Sequence, residues 1–140
     1  MRKSTIEILI PASKRLLWDI VTDNNNTAWR SDLSRVEIVN DLEFIEYTTG
    51  GISTKFAITN KIEYEYYEFS FGNKNMSGLW YGKFIEVDKN VTRLEFTEEI
   101  KFCNPVVELI SYIFFPIKSN QKKYMRDLRI EAEQRLNLFS

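Results

Sequence analysis

Ile6, Ile8 and Ile10 alternate with polar neighbours from Ser4 onward, the period of a strand with one buried face, and Pro11, lacking a backbone donor, ends the ladder. Ser13 then offers a cap for a helix in which Leu16, Leu17, Ile20 and Val21 recur at helical spacing beside Trp18, until the asparagine-rich stretch at Asp23 breaks the pattern. A second short helix is expected over residues 27–33, capped by Thr27 and carrying Trp29. From Arg35 to Phe102 the period returns to two, with Val36 and Ile38; Phe44 near Ile45 and Tyr47; Ile52, Phe56, Ile58 and Ile62; Tyr67, Phe69 and Phe71; Trp80 to Val87; and Leu94, Phe96, Ile100 and Phe102. Six further strands fit this run. The breaks between them are short and carry turn residues, so sequence neighbours should pair as antiparallel hairpins.

The last hairpin can be registered by argument. A three-residue loop at Asp88 to Asn90 sets Val87 opposite Val91, and hence Phe84 opposite Leu94, Gly82 opposite Phe96, and Trp80 opposite Glu98. A slip of one residue would bring Lys83 onto the apolar face, where an unpaired charge costs several kcal/mol. The favoured register leaves Glu98 pointing inward. After Phe102, Asn104-Pro105 reads as a cap with proline at the first helical position, and the chain is helical in character from there on. Residues 106–115 are apolar on nearly all sides, whereas Gln121, Met125, Leu128, Ala132 and Leu136 form a single stripe. Pro116 stands at the junction, where it would delete a helical hydrogen bond at a cost of about 3 kcal/mol, so a kink or break is expected there.

These elements make one α+β domain over residues 1–140: a seven-stranded curved antiparallel sheet, two short helices after the first strand, and a long C-terminal helix gripped by the sheet. Ten Phe, seven Tyr and three Trp in 140 residues need a deep core or a lined cavity. With 19 basic and 20 acidic residues there is no long-range field to recruit nucleic acid. No apolar run approaches the 18 or so residues of a bilayer span, which argues against stable membrane insertion, and the polar alternation after Met1-Arg2-Lys3 is unlike a signal peptide. A cytoplasmic protein is expected, with the single Cys103 a small buried residue.

Several segments resemble the START-like helix-grip superfamily, which includes polyketide cyclase/dehydrase-type proteins and plant pollen allergens. Pro11-Ala12-Ser13-Lys14-Arg15-Leu16-Leu17-Trp18-Asp19 through Asp23 is similar to that family's opening signature, with Trp29 at its second tryptophan. Val91-Thr92-Arg93-Leu94-Glu95-Phe96-Thr97-Glu98-Glu99 resembles the penultimate strand, with Val91 replacing the usual glycine, and Leu128-Arg129-Ile130-Glu131-Ala132-Glu133 resembles the end of the gripping helix. The resemblance implies a cavity between sheet and helix in which members hold lipids, hormones or polyketides and a minority do chemistry.

The chain has no histidine, which removes Ser-His and Cys-His sites, imidazole acid/base work and nearly every zinc arrangement. No glycine spacing cradles a phosphate, and no metal or cofactor is expected. Glu98 is the candidate acid or base, its alternative being a pair with a lysine or tyrosine at the cavity rim. The basic run from Lys118 to Arg129 is interspersed with acids and reads as a solvated face. The expected function is binding of an apolar or amphipathic small molecule by Phe56, Ile58, Phe69, Phe71, Trp80, Phe84, Leu94, Phe96 and Glu98, with Ile113 and Ile117 from the helix. The alternatives are a cyclase/dehydratase-type enzyme using Glu98 and an interaction module with a filled core. Residues 106–117 leave three readings open: core, homodimer surface, or a portal touching membranes.

Overall fold

The structure, a computed structural model, describes residues 1–138. Seven strands, β1 (Arg2–Ile10), β2 (Leu33–Ile38), β3 (Glu43–Thr48), β4 (Ser53–Ile62), β5 (Tyr66–Gly72), β6 (Met76–Asp88) and β7 (Val91–Phe102), form one antiparallel sheet in the order β1-β7-β6-β5-β4-β3-β2. Helix α1 (Lys14–Thr22) follows β1, and α2 (Pro105–Phe114) and α3 (Ile117–Leu138) follow β7. The period-two residues thus become a meander, with β1 returning to pair with β7.

Trp80, Glu98 and Ser4 lie side by side across β6, β7 and β1, and Phe44, Phe56 and Phe71 do so across β3, β4 and β5, so one concave face collects the large rings. The expected pairs Phe84–Leu94, Gly82–Phe96 and Trp80–Glu98 are all present. The turn differs in one detail. Asp88 faces Val91 and Glu86 faces Thr92, so Val87 is bulged out and the pair Val87–Val91 does not form.

The cap of α1 forms as expected, the Leu16 amide donating to Ser13 Oγ at 3.2 Å, and Leu17, Trp18, Ile20 and Val21 are buried. The second short helix does not form. Residues 27–32 make turns, held open by tertiary partners: the Arg30 guanidinium bonds Asp32 and Glu46, and the Ser31 amide and hydroxyl both donate to Asp127 on α3. Side-chain bonds to distant acceptors outweigh a weak local helical preference.

Pro116 separates α2 from α3, as its missing donor requires. Helix α3 packs Ile117, Gln121, Met125, Leu128 and Ala132 inward and also covers the free edge of β1. There the backbone carbonyls of Thr5 and Leu9, which point the same way along the strand, accept from Lys118 and Arg129, which covers part of an edge otherwise open to pairing, while Gln121 donates to the Ser4 carbonyl. Cys103 is exposed, contrary to the expectation that it is buried, because it falls in the bend after β7 and leads into α2.

Glycines on β6 set the depth of the concave face. A Cβ at Gly78 would lie 2.4 Å from the Glu99 carbonyl oxygen and 2.4 Å from the Phe71 ring. The Phe71 ring can move, but the paired backbone cannot. Gly78→Ala is therefore expected to lower stability by roughly 1–3 kcal/mol, the usual range for overpacking, in urea denaturation. Gly50→Ala, with 3.8 Å of clearance to its nearest neighbour, serves as the near-neutral control.

Candidate functional site

The buried apolar residues divide into two clusters. One joins Ile10, Leu17, Trp18, Tyr67, Phe84, Leu94 and Phe96 to Met125, Leu128 and Ala132 of α3; the other joins Phe44, Phe56, Phe71 and Ile100 to Ile117. Ile58, Phe69 and Trp80 touch both clusters yet are only partly buried. They line a seam across the middle of the concave face. Glu98 lies in the same seam, between buried Phe96 and Ile100 on β7, and Gln121 lies opposite, between buried Ile117 and Met125 on α3.

The floor of this seam is a chain of rings. Trp80 and Phe69 stack with centroids 4.7 Å apart and planes 6° from parallel, and Phe69 meets Phe56 edge-on at 5.1 Å. Trp80 meets Phe96 edge-on at 4.8 Å, and Phe96 reaches Tyr124 of α3 at 6.0 Å. Such contacts add about 0.5–1.5 kcal/mol per pair beyond area burial, so the floor is stiff as well as apolar.

Polar groups sit at intervals along the seam. Gln121 is satisfied, donating to the Ser4 carbonyl at 2.9 Å and accepting from the Ser4 hydroxyl at 2.7 Å. Arg30 reaches inward from the loop before β2, donating to Glu46 at 2.8 Å and to Asp32 at 2.8 Å, with its guanidinium carbon 5.0 Å from the centre of the Tyr124 ring. Burial alone would lower the Arg30 pKa, but the Glu46 and Asp32 carboxylates drive it above its ordinary value, so the guanidinium stays charged. Burial raises Glu46 against the pull of Arg30. Tyr124 is raised chiefly by burial and stays a neutral phenol.

Glu98 is different in kind. It makes no hydrogen bond or ion pair to any other described residue, and burial, helped by the Glu46 charge and opposed by Arg30 and Arg2, pushes its carboxyl up to about 7. Around neutral pH it can donate or accept a proton. The buried Trp29 Nε1–H, beside Tyr124, likewise has no partner. A half-buried acid with no protein partner and a buried donor with none are groups a second molecule could satisfy.

The chain thus brings together Phe56, Ile58, Phe69, Phe71, Trp80, Phe84, Leu94, Phe96, Glu98 and Ile117 on the concave face or its covering helix. Ile113 is not among them: it is 77% exposed on α2 and points to solvent. A pocket of about 160 Å³ lies between the loop at Asn24 and Asn25 and the β2–β3 turn, lined also by Ile38, Asn40, Asp41 and Glu43, and it touches the concave face through Phe44 and Ile58 alone, not through Phe69, Trp80 or Glu98. Arg30 and Glu46 went unread in the sequence. The available signal was Glu46 two positions from inward-facing Phe44, but Ile45 and Tyr47 are also apolar and hide which face is which. Among the described residues no group of His, Cys, Asp and Glu is placed to hold a metal ion.

No protein-family profile and no curated protein matches the sequence. Solved structures match along almost the whole chain. A conserved protein from Geobacillus kaustophilus superposes with a TM-score of 0.81 at 10% identity, covering 95% of this chain and 96% of that one. A START superfamily protein from Mycobacterium smegmatis gives 0.76 at 13% identity, covering 94% and 97%. The Zhui aromatase/cyclase from Streptomyces sp. R1128 gives 0.75 at 14% identity, covering 96% and 95%. The resemblance in the sequence and the superpositions agree on the START-like helix-grip fold.

The raised Glu98 carboxyl makes stability depend on pH. Below its unfolded value of 4.5 the group is neutral in both states; above about 7 it is ionised in both, and the folded state bears the burial cost. Stability is therefore lost as pH rises between those values. At full burial the loss is roughly 3 kcal/mol, less where water reaches the carboxyl. Glu98→Gln is expected to raise the melting temperature at pH 8 and leave it nearly unchanged at pH 4; an equal effect at both would show that the carboxyl is not held neutral.

Proposed function

We propose that this START-like helix-grip domain binds one mainly apolar, amphipathic small molecule of lipid or polyketide-like character in the seam between the sheet and α3. The observation that carries the reading is that Ile58, Phe69, Trp80 and Glu98 face inward yet remain incompletely buried between two dry clusters. A filled core would close over such residues, since interiors pack with few voids. A flat apolar body would lie on the stacked Trp80 and Phe69 rings, and one hydroxyl or carbonyl group would meet Glu98. Orientation would come from that single polar contact.

A second reading, acid/base catalysis of the cyclase/dehydratase type, rests on one observation: a carboxyl poised at about 7 on an apolar face. The aromatase/cyclase among the structural neighbours shares the architecture, and fold alone does not carry chemistry from one protein to another.

Native mass spectrometry of gently purified protein, followed by titration with the neutral probe N-phenyl-1-naphthylamine, tests the binding reading. Either a stoichiometric passenger or saturable one-to-one probe binding is expected. Trp80→Ala and Phe69→Ala should each weaken the probe by about tenfold or more, equivalent to about 1.4 kcal/mol. A clean apo mass together with no saturable binding would favour the filled-core module. Turnover of an extracted passenger that Glu98→Gln abolishes, with the passenger still bound, would establish the catalytic reading.

A further inference from the structure

Helix α2 is amphipathic in the wrong sense for a core element. Val106, Leu109, Ile110 and Ile113 recur at the i, i+3, i+4, i+7 spacing of a single helical stripe, and that stripe faces solvent: Leu109 is 71% exposed and Ile113 77%, with Phe114 beside them at 79%. The polar side of the helix faces the protein. Ser111 is buried, its carbonyl and hydroxyl each accepting from Arg2 at 3.0 Å, and the Phe115 carbonyl accepts from the same guanidinium at 2.9 Å. Glu108 pairs with the Met1 amine at 2.6 Å. Arg2 also lies over the Tyr112 ring at 4.2 Å, so one arginine fixes the last two turns of the helix. The apolar stripe is held outward by specific bonds.

Lysines flank the helix at both ends. Before it, Lys101 is exposed at the end of β7, and Lys74 is exposed in the β5–β6 turn, which is tied to the start of α2 by the Cys103 amide donating to the Asn75 carbonyl at 2.9 Å. After it, Lys122 is exposed on α3, as is Lys118, whose ammonium also donates to the Thr5 carbonyl. The one acid on α2 is taken up by the Met1 amine. A second copy meeting this one through α2 would bring lysine against lysine, which is repulsive. A surface of negative charge over an apolar interior complements both features. Ten residues span about 15 Å, roughly half a bilayer core, so the helix can lie in an interface and cannot cross it.

We infer that α2 is a membrane-interface helix. It lies in the surface of an anionic bilayer with its apolar stripe among the upper acyl chains and the flanking lysines at the headgroups.

Vesicle co-sedimentation of the full chain tests this, using phosphatidylcholine vesicles with and without about one third phosphatidylglycerol, a fraction at which polybasic attraction is measurable. Binding to the anionic vesicles should exceed binding to the neutral ones by about tenfold and fall at high salt. Ile113→Glu should reduce it at least tenfold, and the pair Lys74→Glu and Lys101→Glu should remove the preference for anionic lipid. Because Ile113 is 77% exposed, its substitution should leave the melting temperature unchanged, which separates lost docking from lost fold. No binding to anionic vesicles, binding unaffected by Ile113→Glu, or a lipid-free dimer that Ile113→Glu dissociates would overturn the proposal.

Discussion

The packing of α3 across the concave sheet is the constraint on which the rest of the structure depends. A curved antiparallel sheet with its large rings on one side must be covered, and here a single 22-residue helix does so with one stripe of inward residues. Met125, Leu128 and Ala132 close one end of the face with α1, and Ile117 closes the other. Between them the stripe changes character at Gln121, which is committed to Ser4 on the edge strand. The core is split at that point, and the seam follows from the split.

Charge inside the seam is costly, and its arrangement is informative. The Arg30–Glu46 pair, with Asp32, is well satisfied, the kind of buried ion pair whose desolvation is recovered through good geometry and several hydrogen bonds. Glu98 has no such recovery among the described residues. A carboxyl pushed toward neutrality beside stacked rings destabilises the domain at high pH, and natural sequences retain such costs mainly where function uses them. The same network explains the loop before β2: Arg30 and Ser31 are drawn to partners on β3 and α3, so the expected helix gives way to turns.

Much of this was legible in the sequence, for definite reasons. Period-two alternation made the strands readable, and the cost of burying Lys83 selected the β6–β7 register, which the structure reproduces apart from the bulge at Val87. Pro116 marked the break between α2 and α3 by chemistry alone. The failures lie where tertiary partners decide. Residues 106–115 are apolar on nearly all sides, which leaves core, dimer surface and portal open, and nothing local reveals that Arg2, more than a hundred residues away, holds the Ser111 face inward. Ile113 was therefore expected in the cavity and stands in solvent. Glu46 was hidden because β3 is apolar on both faces.

The most direct test of the central claim, that the seam is a binding cleft, is a crystal structure of the protein with N-phenyl-1-naphthylamine bound. The probe is expected between the Trp80–Phe69 stack and α3, in contact with Ile58 and within hydrogen-bonding reach of Glu98. A probe located only on the outer surface, with the Trp80 and Phe69 rings closed against α3, would contradict it.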